Sequence, residues 1–445
     1  MRQKIITLFR NKNFVSLANN LVVAFFGFAN VALLSRSLPK SDFGEWVIYL
    51  SGMAIIEMVR TGLNGTPLVR FLSGSQNKEE SAGLIGASWV LSGLVTLTAI
   101  LVLYSGYALF QEQIDAKGFG LFFFWYPILS LFLMPLNMTL SILQARGQFG
   151  RILSLRSISM GTFFLFLAIN FFVRMDVRWV LVAHIASFAL ASIIAILMGW
   201  SGINHLLRAQ KRYIREQLRF GRYSLGTLLG SNLLKSSDTF ILGIMMTQAD
   251  VAYYSIPLKL IEIVEIPIRS LVAVAFPRMS QESRRNRNFE VKRIFYTYTG
   301  IASLIFIPLV ALLFLIAKPL TLILGGAEYA SSYTLFWIFL IYALFLPMDR
   351  FSGVALDAVN RPRLNMYKVF FMAAANIIGD VLVIHYFGSL QLVAAVTIVN
   401  VIVGVFVGNL LLNRELGTRI WLIFPYGLRA IRDNLSKLLK PKRDE

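Results

Sequence analysis

The stretch Ser35–Arg70 decides how this chain is organised: SRSLPKSDFGEWVIYLSGMAIIEMVRTGLNGTPLVR. It ends one apolar segment and turns through Pro39 and Gly44. It then enters a second apolar segment that carries Glu57 and Arg60. Proline and glycine between two apolar runs indicate a turn, so the stretch predicts a helix, a turn and a second helix with two charges inside it.

The same pattern recurs at Gly243–Arg278, GIMMTQADVAYYSIPLKLIEIVEIPIRSLVAVAFPR. Four pairs of matching residues keep one common spacing: Asp42 and Asp250, Trp46 and Tyr254, Glu57 and Glu265, and Arg70 and Arg278. A spacing shared by several positions indicates an internal repeat. The chain is therefore predicted to consist of two related halves, each opening with this motif.

The composition indicates a polytopic membrane protein. Of the 445 residues, 57% are hydrophobic and only 15% are charged, whereas soluble proteins carry about 25% charged residues. The net charge of +20 resides mostly between apolar runs, which favours a topological role for the basic residues over a nucleic-acid partner. The chain has no cysteine, which excludes disulfides and thiolate metal sites.

Twelve apolar segments are long enough to span a bilayer. Their approximate ranges are Phe14–Leu34, Trp46–Leu63, Ala82–Leu103, Phe119–Ser141, Ile152–Val173, Trp179–Trp200, Tyr223–Met246, Val251–Phe276, Ile294–Ala317, Ser331–Leu356, Tyr367–Phe387 and Leu390–Leu412. The predicted fold is an all-α integral membrane protein with two repeat-related six-helix bundles. The predicted parts are an N-terminal bundle (1–200), a basic amphipathic connector (201–222), a C-terminal bundle (223–412) and a basic tail (413–445).

Lysine and arginine are concentrated in the loops on one side of the predicted spans. Because basic loops stay in the cytoplasm, both termini of this multi-pass protein are predicted to be cytoplasmic. The first span follows a basic start and precedes no small-residue cleavage site, so it is interpreted as an uncleaved span.

Two cytoplasmic segments have an amphipathic pattern. In the connector, the apolar residues of the predicted helical face are Ile203, Leu206, Leu207, Ile214 and Leu218. In the tail, they are Leu428, Ile431, Leu435 and Leu438. Basic residues fill much of the remaining surface of both, so each predicts either a helix at the membrane interface or a solvated basic linker.

Ionisable residues inside spans are costly in lipid and therefore mark pairs or functional sites. Five cations form a candidate site for an anionic substrate: Arg60, Lys235, Lys259, Arg269 and Arg350. Four carboxylates are candidates for ion coupling or for pairing: Glu57, Asp238, Glu262 and Glu265. Asp349 and Asp380 also lie within spans.

At about 100° per residue, the charges of the second, seventh and eighth predicted spans fall on narrow stripes of their helices. Lipid cannot solvate such stripes, so they should face a water-filled cavity or a partner helix. The alternative is pairing within one helix, because Glu57–Arg60, Lys235–Asp238 and Glu265–Arg269 are three or four residues apart. Replacing Arg60 or Arg269 with alanine is expected to reduce transport without preventing membrane insertion.

No catalytic or metal site emerges from the sequence. There is no P-loop sequence, no nucleophile–base pattern and no cluster with metal-ligand spacing. His184 and His385 are isolated and are interpreted as packed or interfacial residues. The longest predicted external loop, Ser105–Gly118, has no convincing acid/base set.

Four short segments resemble the bacterial polysaccharide flippases of the multidrug/oligosaccharidyl-lipid/polysaccharide (MOP) exporter superfamily. They are Leu34–Gly44 with Trp46, the segment KSSDTFILG at Lys235–Gly243, QARG at Gln144–Gly147, and DAVNRP at Asp357–Pro362. The resemblance covers essentially the whole chain through its plan of six plus six spans.

The resemblance implies two bundles around a central cavity that opens alternately to each side, a fold shared with the drug/sodium exporters (MATE-like). It implies a polyprenyl-diphosphate-linked oligosaccharide as substrate, such as an undecaprenyl-linked O-antigen unit used for lipopolysaccharide. Membrane lipids, a polysaccharide polymerase and chain-length enzymes are the implied partners. No cofactor is expected. Transport is expected to be coupled to a proton, a sodium ion or the membrane potential.

The expected function is thus flipping of a lipid-linked oligosaccharide, without enzymatic activity. Two alternatives stay open. A cation-coupled multidrug exporter of the same superfamily would handle mainly cationic cargo, against which the five cations count. A membrane polysaccharide polymerase or glycosyltransferase would need a sizeable external loop.

Overall fold

The computed structural model describes residues 12–439, with the side chains at 12–18, 20, 21, 223, 227, 229–235 and 434–439 excepted. Regular secondary structure in this range is helical throughout. The α-helices are α1 Lys12–Ser37, α2 Lys40–Arg60, α3 Thr66–Ser73, α4 Lys78–Ala116, α5 Gly120–Ala145, α6 Phe149–Val173, α7 Val177–Leu197, α8 Lys211–Met245, α9 Gln248–Val264, α10 Ile266–Arg284, α11 Asn288–Leu315, α12 Ala317–Gly325, α13 Tyr333–Ala358, α14 Pro362–Phe387, α15 Leu390–Leu416 and α16 Ile423–Leu439. Four short segments complete the series: a π-helical turn at Thr61–Gly65 and 3₁₀ turns at Ile203–Arg208, Ala327–Ser332 and Ile420–Leu422.

The all-α membrane fold predicted from the sequence is confirmed. Each predicted span lies mainly on one of these helices, or on the pair α9 and α10 for Val251–Phe276. Among the described residues, nine helical segments are long and apolar enough to cross a membrane. The segment Val22–Ser37 of α1 is a shorter apolar helix.

The two short motifs after the fourth and tenth predicted spans form the same turn. Gly147 and Asn360 both adopt positive φ angles, of 66° and 62°. The residue after each donates its backbone N–H to a carbonyl five residues back: Gln148 to Leu143 at 2.8 Å, and Arg361 to Leu356 at 2.9 Å. This is the hydrogen bond of a Schellman helix ending, which glycine and asparagine favour. The repeat is thus visible in the backbone as well as in the sequence.

The repeat-related stretches both interrupt their helices near the charged residues. In the first, the π-helical turn Thr61–Gly65 follows Arg60 directly. In the second, the helix breaks at Glu265 between α9 and α10. Pro267 explains this break, because it has no N–H to donate to the carbonyl four residues earlier. On either side of the break, Glu265 donates its N–H to the Ile261 carbonyl at 3.0 Å and accepts from the Arg269 N–H at 3.1 Å.

Backbone contacts divide the chain into two compact units. Unit 1 comprises the residues up to Tyr253 together with Leu324–Gly326, and unit 2 comprises Tyr254–Ile323 and Ala327 onward. Helix α8 belongs to unit 1 because it packs closely on the π-helical turn: a Cβ on Gly62 would lie 2.8 Å from Leu225 Cα. The predicted division into halves at 201–222 describes sequence repeats, not these contact units, and stays a prediction.

The core of unit 1 includes a cluster of Leu68, Trp89, Met138 and Ile142, all buried. The core of unit 2 includes a larger cluster built around Phe295, Tyr296, Phe351, Leu356 and Ile423. Ile423 belongs to α16, so the C-terminal helix contributes to the core of its unit.

The prediction of one interfacial helix in the connector is wrong. Gly202, at φ 64°, starts a 3₁₀ turn that ends at Arg208. Ala209 and Gln210 are extended before α8 begins, so the five apolar residues do not share one helical face. The turn is held against α4, where a Cβ on Gly86 would lie 2.4 Å from the carbonyl oxygen of His205.

The predictions for the C-terminal tail and for the external loop have different outcomes. The tail does form a helix, α16, although the side chains of Leu435 and Leu438 lie outside the described set. The predicted external loop Ser105–Gly118 is mostly helical, because α4 continues to Ala116 with a kink at Phe110, where φ is −130° and ψ is 30°.

Candidate functional site

Arg60 in unit 1 is buried within a closed network. Its guanidinium donates to Glu57 Oε1 at 2.6 Å, to Thr96 Oγ1 at 3.0 Å and to Ser130 Oγ at 2.7 Å. The last two residues lie on α4 and α5, so the arginine joins three helices. Its side chain is only 2% exposed. Arg60 therefore satisfies a buried charge with protein partners.

Glu57 is held from the opposite side of the same pair. Tyr126 donates its hydroxyl to Oε1 at 2.7 Å, and Asn137 donates its amide to Oε2 at 2.5 Å. Both oxygens of the carboxylate thus have donors besides Arg60. A buried ion pair persists only when such extra hydrogen bonds offset its desolvation, and this pair has them on both sides.

The π-helical turn after Arg60 is part of this packing. Asn64, inside the turn, donates to Ser92 Oγ at 2.5 Å. A Cβ on Gly221 of α8 would lie 2.6 Å from the carbonyl oxygen of Leu63. The backbones of the π-helical turn and α8 therefore approach so closely that only glycine fits at Gly62 and Gly221.

The repeat-related carboxylate in unit 2, Glu265, has a different environment. Its Oε2 accepts from Arg269 at 2.9 Å, and its Oε1 lies 3.5 Å from a guanidinium nitrogen of Arg350. One carboxylate is thus shared by two arginines from α10 and α13, and the group carries an excess positive charge. The Glu265 side chain is 10% exposed, whereas Arg269 is 56% and Arg350 is 37% exposed.

The exposure of these two arginines says where they face. Both lie within predicted spans, and an arginine exposed to hydrocarbon is strongly disfavoured. They are accordingly expected to face water rather than lipid. A guanidinium can bind a phosphate through two parallel hydrogen bonds, so this cluster of Glu265, Arg269 and Arg350 has the chemistry of an anion site.

Unit 2 also contains a buried pair, Lys368 and Asp349, that the sequence analysis did not predict. Lys368 on α14 donates to Asp349 Oδ1 at 2.7 Å, to the Asp349 carbonyl at 3.0 Å and to Ser352 Oγ at 3.0 Å. Its side chain is 2% exposed. Gly404 and Gly408 on α15 make room for this pair, since a Cβ on either would lie within 2.8 Å of Asp349 Oδ1 or of Ser352 Oγ.

Residues 9–283 match the model of a family described as polysaccharide biosynthesis protein. The chain belongs to this family. The sequence is also 20% identical over 375 residues to a probable low-salt glycan biosynthesis flippase, Agl15, of Haloferax volcanii, an alignment that covers 83% of this chain and 76% of that protein.

Solved structures share the fold of this polysaccharide biosynthesis family member. An inward-facing multidrug resistance transporter of the MATE family in the MOP superfamily matches with a TM-score of 0.75 and 14% identity, over 94% of this chain and 96% of that one. The lipid II flippase MurJ in an inward closed conformation matches with a TM-score of 0.72 and 13% identity, over 98% and 93%. The predicted resemblance to polysaccharide biosynthesis membrane proteins is confirmed at the level of the family, and the predicted fold is shared with these two transporters.

The remaining predicted site residues of this family member fall into different surroundings. Lys259 and Glu262 pair at 2.7 Å and are 31% and 58% exposed. Asp238 is buried and accepts a hydrogen bond from Ser237 at 3.3 Å. The side chain of Lys235 lies outside the described set, so its predicted pairing with Asp238 stays a prediction.

A second buried polar group in unit 2 surrounds Asp380. Asn376 donates to Asp380 Oδ2 at 3.0 Å, and Asn400 donates to Asn376 Oδ1 at 3.1 Å. All three are buried. Polar residues that join two helices in this way stabilise helix contacts in membranes.

His184 and His385 of the family member lie in different surroundings. His184 packs among Trp46, Phe163 and Phe188, and its Nδ1 lies 3.3 Å from the Tyr49 hydroxyl. His385 is exposed. The described residues include no group of three or more His, Cys, Asp or Glu arranged to hold a metal ion.

Charge is distributed unevenly along both units. A cavity of about 530 Å³ in unit 1 is lined by the carboxylates of Asp42, Glu45, Asp115 and Asp176. In unit 2, the segments that follow α10, α13 and α15 meet at one end, around a cavity of about 370 Å³ that includes Asn286, Arg361 and Glu415. These segments carry Arg285, Arg287, Arg361 and Arg419, and this end of unit 2 is called the basic end below.

Proposed function

We propose that this protein flips a polyprenyl-diphosphate-linked oligosaccharide from the cytoplasmic to the outer leaflet of the membrane. The observation that carries the proposal is the pair of exposed arginines, Arg269 and Arg350, that share Glu265. A diphosphate is the one strongly charged part of such a lipid. The membership in a polysaccharide biosynthesis family and the similarity to a probable glycan flippase support the same substrate class.

In the proposed mechanism, Arg269 and Arg350 bind the diphosphate while the glycan stays in water and the polyprenyl chain stays in lipid. Glu265 then competes with the substrate, because its two oxygens occupy the arginine donors that the diphosphate needs. Substrate binding displaces Glu265, and release restores the Glu265 contacts. The restored Glu265 contacts thereby lower the free-energy cost of releasing the diphosphate from the two arginines.

The coupling of this cycle is also proposed. Displaced Glu265, or the buried Asp238, is a candidate for binding a proton or a sodium ion during the reset. The membrane potential is an alternative source, since each charge moved across it contributes about 2.3 kcal/mol per 100 mV. Glu57 is less suited to this role, because three donor contacts, from Arg60, Tyr126 and Asn137, would have to break or rearrange.

The proposed location is the bacterial inner membrane, with both termini in the cytoplasm and the basic end of unit 2 on the cytoplasmic side. Arginine-rich loops are retained on that side. A polysaccharide polymerase and chain-length enzymes are the proposed partners downstream, and an undecaprenyl-linked O-antigen unit is the proposed cargo.

The alternative that the fold favours is a multidrug exporter, because a transporter of that kind shares the architecture. Its cationic cargo would be repelled by the excess positive charge of the Glu265 cluster. The polymerase alternative loses its candidate external loop, since most of Ser105–Gly118 belongs to α4.

The test is a flipping assay in proteoliposomes with a fluorescent polyprenyl-diphosphate oligosaccharide. A charged hydrogen bond contributes about 1.5–3 kcal/mol, so Arg269→Ala with Arg350→Ala should reduce flipping at least tenfold while the protein still inserts. Arg285→Ala is the matched control, because it breaks an exposed Arg–Glu pair of 3.2 Å outside the proposed site. Normal flipping in the double variant would refute the site.

A deletion strain separates the alternatives. Loss of the gene should cause lipid-linked repeat units to accumulate on the cytoplasmic side while surface polymer disappears. Repeat units that reach the outer side unpolymerised would point to a polymerase. Unchanged glycan with increased drug sensitivity would point to an exporter.

A further inference from the structure

The C-terminal helix α16 is fixed to the transmembrane helix α11 by a glycine contact. A Cβ on Gly300 would lie 2.2 Å from the Ile423 carbonyl oxygen and 2.7 Å from Gly427 Cα. A Cβ on Gly427 would lie 2.5 Å from the Gly300 carbonyl carbon. The two backbones therefore touch, and α16 has a defined position although it follows the last predicted span.

The segment that leads into α16 is anchored as well. Lys292 donates its ammonium group to the Gly417 carbonyl. Arg419 donates its backbone N–H to the Tyr296 hydroxyl at 2.6 Å, and the rings of Tyr296 and Tyr426 lie 5.1 Å apart. These contacts lie at the basic end, where Arg361 also pairs with Glu415 at 3.0 Å.

A second apolar side of α16 lies next to the side that packs on α11. Phe424 and Leu428 are 36% and 57% exposed, and Trp421 just before the helix is 64% exposed. At about 100° per residue, Phe424 and Leu428 lie within about 40° of each other. They lie beside the packed residues Ile423 and Gly427 on the helix surface, so α16 has one apolar side against the protein and an adjacent apolar side that is partly exposed.

The polar side of α16 is basic. Arg429 and Arg432 are exposed, and at about 100° per residue Arg432 lies about 40° beyond Leu428. The sequence continues with Lys440, Lys442 and Arg443. An exposed apolar stripe flanked by arginines is the pattern of a helix that lies in a membrane interface.

The contact on α11 lies at the depth expected for a helix in the membrane interface. The span in α11 is predicted to start at Ile294, and Gly300 lies about 9 Å further along the helix at 1.5 Å per residue. Interfacial helices bury their apolar side about 5–10 Å into the headgroup and acyl boundary. The glycine contact thus holds α16 at the depth where phospholipid headgroups meet the acyl chains.

We propose that α16 is a lipid-binding helix that lies in the membrane leaflet at the basic end of unit 2. Trp421, Phe424 and Leu428 insert among the acyl chains, and Arg429 and Arg432 bind anionic phospholipid headgroups. Lipid is the expected occupant because α16 is fixed to a membrane-spanning helix, whose apolar surface is also in contact with lipid. The negative headgroups of the lipid complement the positive charge of α16 and of the residues after it.

The test uses the absence of cysteine from the chain, which makes any introduced cysteine a unique labelling site. Leu428→Cys carries an environment-sensitive fluorophore in the full-length protein, reconstituted in vesicles of phosphatidylcholine with or without phosphatidylglycerol. Asp433→Cys is the matched control: it is exposed on the same helix and lies about 140° around it from Leu428. Quenching by doxyl-labelled lipids is compared with quenching by aqueous iodide.

The label at residue 428 should be quenched by doxyl lipid and protected from iodide, and the label at residue 433 should show the opposite. Phosphatidylglycerol should increase the lipid quenching at residue 428. Arg429→Gln with Arg432→Gln should abolish that increase, because two arginines near an anionic surface shift such an equilibrium by about thirtyfold.

Equal iodide quenching at both positions would overturn the proposal. Protection of residue 428 in native membranes but not in lipid vesicles would also overturn it, because a protein partner would then cover the apolar side. Neither readout depends on transport, so the outcome is independent of the flippase proposal.

Discussion

Glu57 and Glu265 occupy matching positions of the repeat but differ in what surrounds them. Glu57 and its arginine are enclosed by Tyr126, Asn137 and neighbouring hydroxyls, and Arg60 is 2% exposed. Glu265 holds two arginines that are 56% and 37% exposed. The first pair joins three helices of unit 1, whereas the second presents excess charge at a helix break. One repeated sequence feature has thus become a structural element in one unit and a candidate binding site in the other.

The largest expected effect is on the closed pair. Arg60→Ala would deprive the partly buried Glu57 carboxylate, 16% exposed, of its cationic partner, and breaking a buried pair in this way costs about 3–5 kcal/mol. The variant should lose thermal stability in detergent and accumulate poorly, which differs from the sequence-based expectation that it would insert normally.

Glu57→Gln with Arg60→Met is the control for that prediction, because it removes both charges together and should recover part of the stability. Wild-type stability of Arg60→Ala, measured by fluorescence-detected size exclusion after heating, would mean that Arg60 is not structural.

A similarly large effect is expected at Asp349, which precedes Arg350 of the Glu265 cluster in the sequence. Lys368→Met would strand the Asp349 carboxylate, which Lys368 contacts at 2.7 Å, and should destabilise unit 2 by about 3–5 kcal/mol. Asp349→Asn with Lys368→Met should be more stable than Lys368→Met alone, as measured by thermal unfolding. Equal melting of the single and double variants would show that the two charges are not coupled.

A smaller effect on stability, but a distinct effect on transport, is expected at Glu265. Glu265→Gln removes the competitor for Arg269 and Arg350, so the substrate should bind more tightly, by about tenfold for one charged hydrogen bond, and leave more slowly. Both the KM and the maximal rate of flipping should fall.

The repeat supplies the control for this prediction. Glu57→Gln should leave KM unchanged and lower only the thermal stability. If both glutamine variants changed KM alike, the distinction between an open and a closed site would be wrong.

The smallest effect is expected at the exposed pair in α9. Lys259 and Glu262 are 2.7 Å apart but substantially exposed, and such pairs contribute at most about 1 kcal/mol. Lys259→Gln should leave stability unchanged and reduce flipping no more than about twofold to threefold. A tenfold loss of flipping would extend the proposed anion site from the Glu265 cluster to α9.

Local sequence patterns were sufficient for several features of the fold. Apolar runs located every described spanning helix, because the length of a bilayer-crossing helix is set by membrane thickness. Gly147 and Asn360 marked matching helix ends, since their positive φ angles suit few other residues. The prediction of a single helix in the connector was wrong because Gly202 and the extended Ala209–Gln210 interrupt it. Amphipathic spacing alone does not detect such breaks.

The site was only partly predictable. Arg269, Arg350 and Glu265 were identified as charges within spans, but their sharing of one carboxylate joins helices that are far apart in the chain. Lys368 was missed because it lies next to the predicted start of its span at Tyr367, where a lysine usually reaches water.

The sequence by itself determined the membrane fold, the repeat and the family, because apolar length, matched spacing and short motifs are all local properties of the chain. The tertiary structure alone decided which charged pairs are closed. A residue's exposure depends on the helices that pack around it: Thr96, Ser130, Tyr126 and Asn137 enclose the pair at Glu57, whereas Arg269 and Arg350 at Glu265 stay exposed.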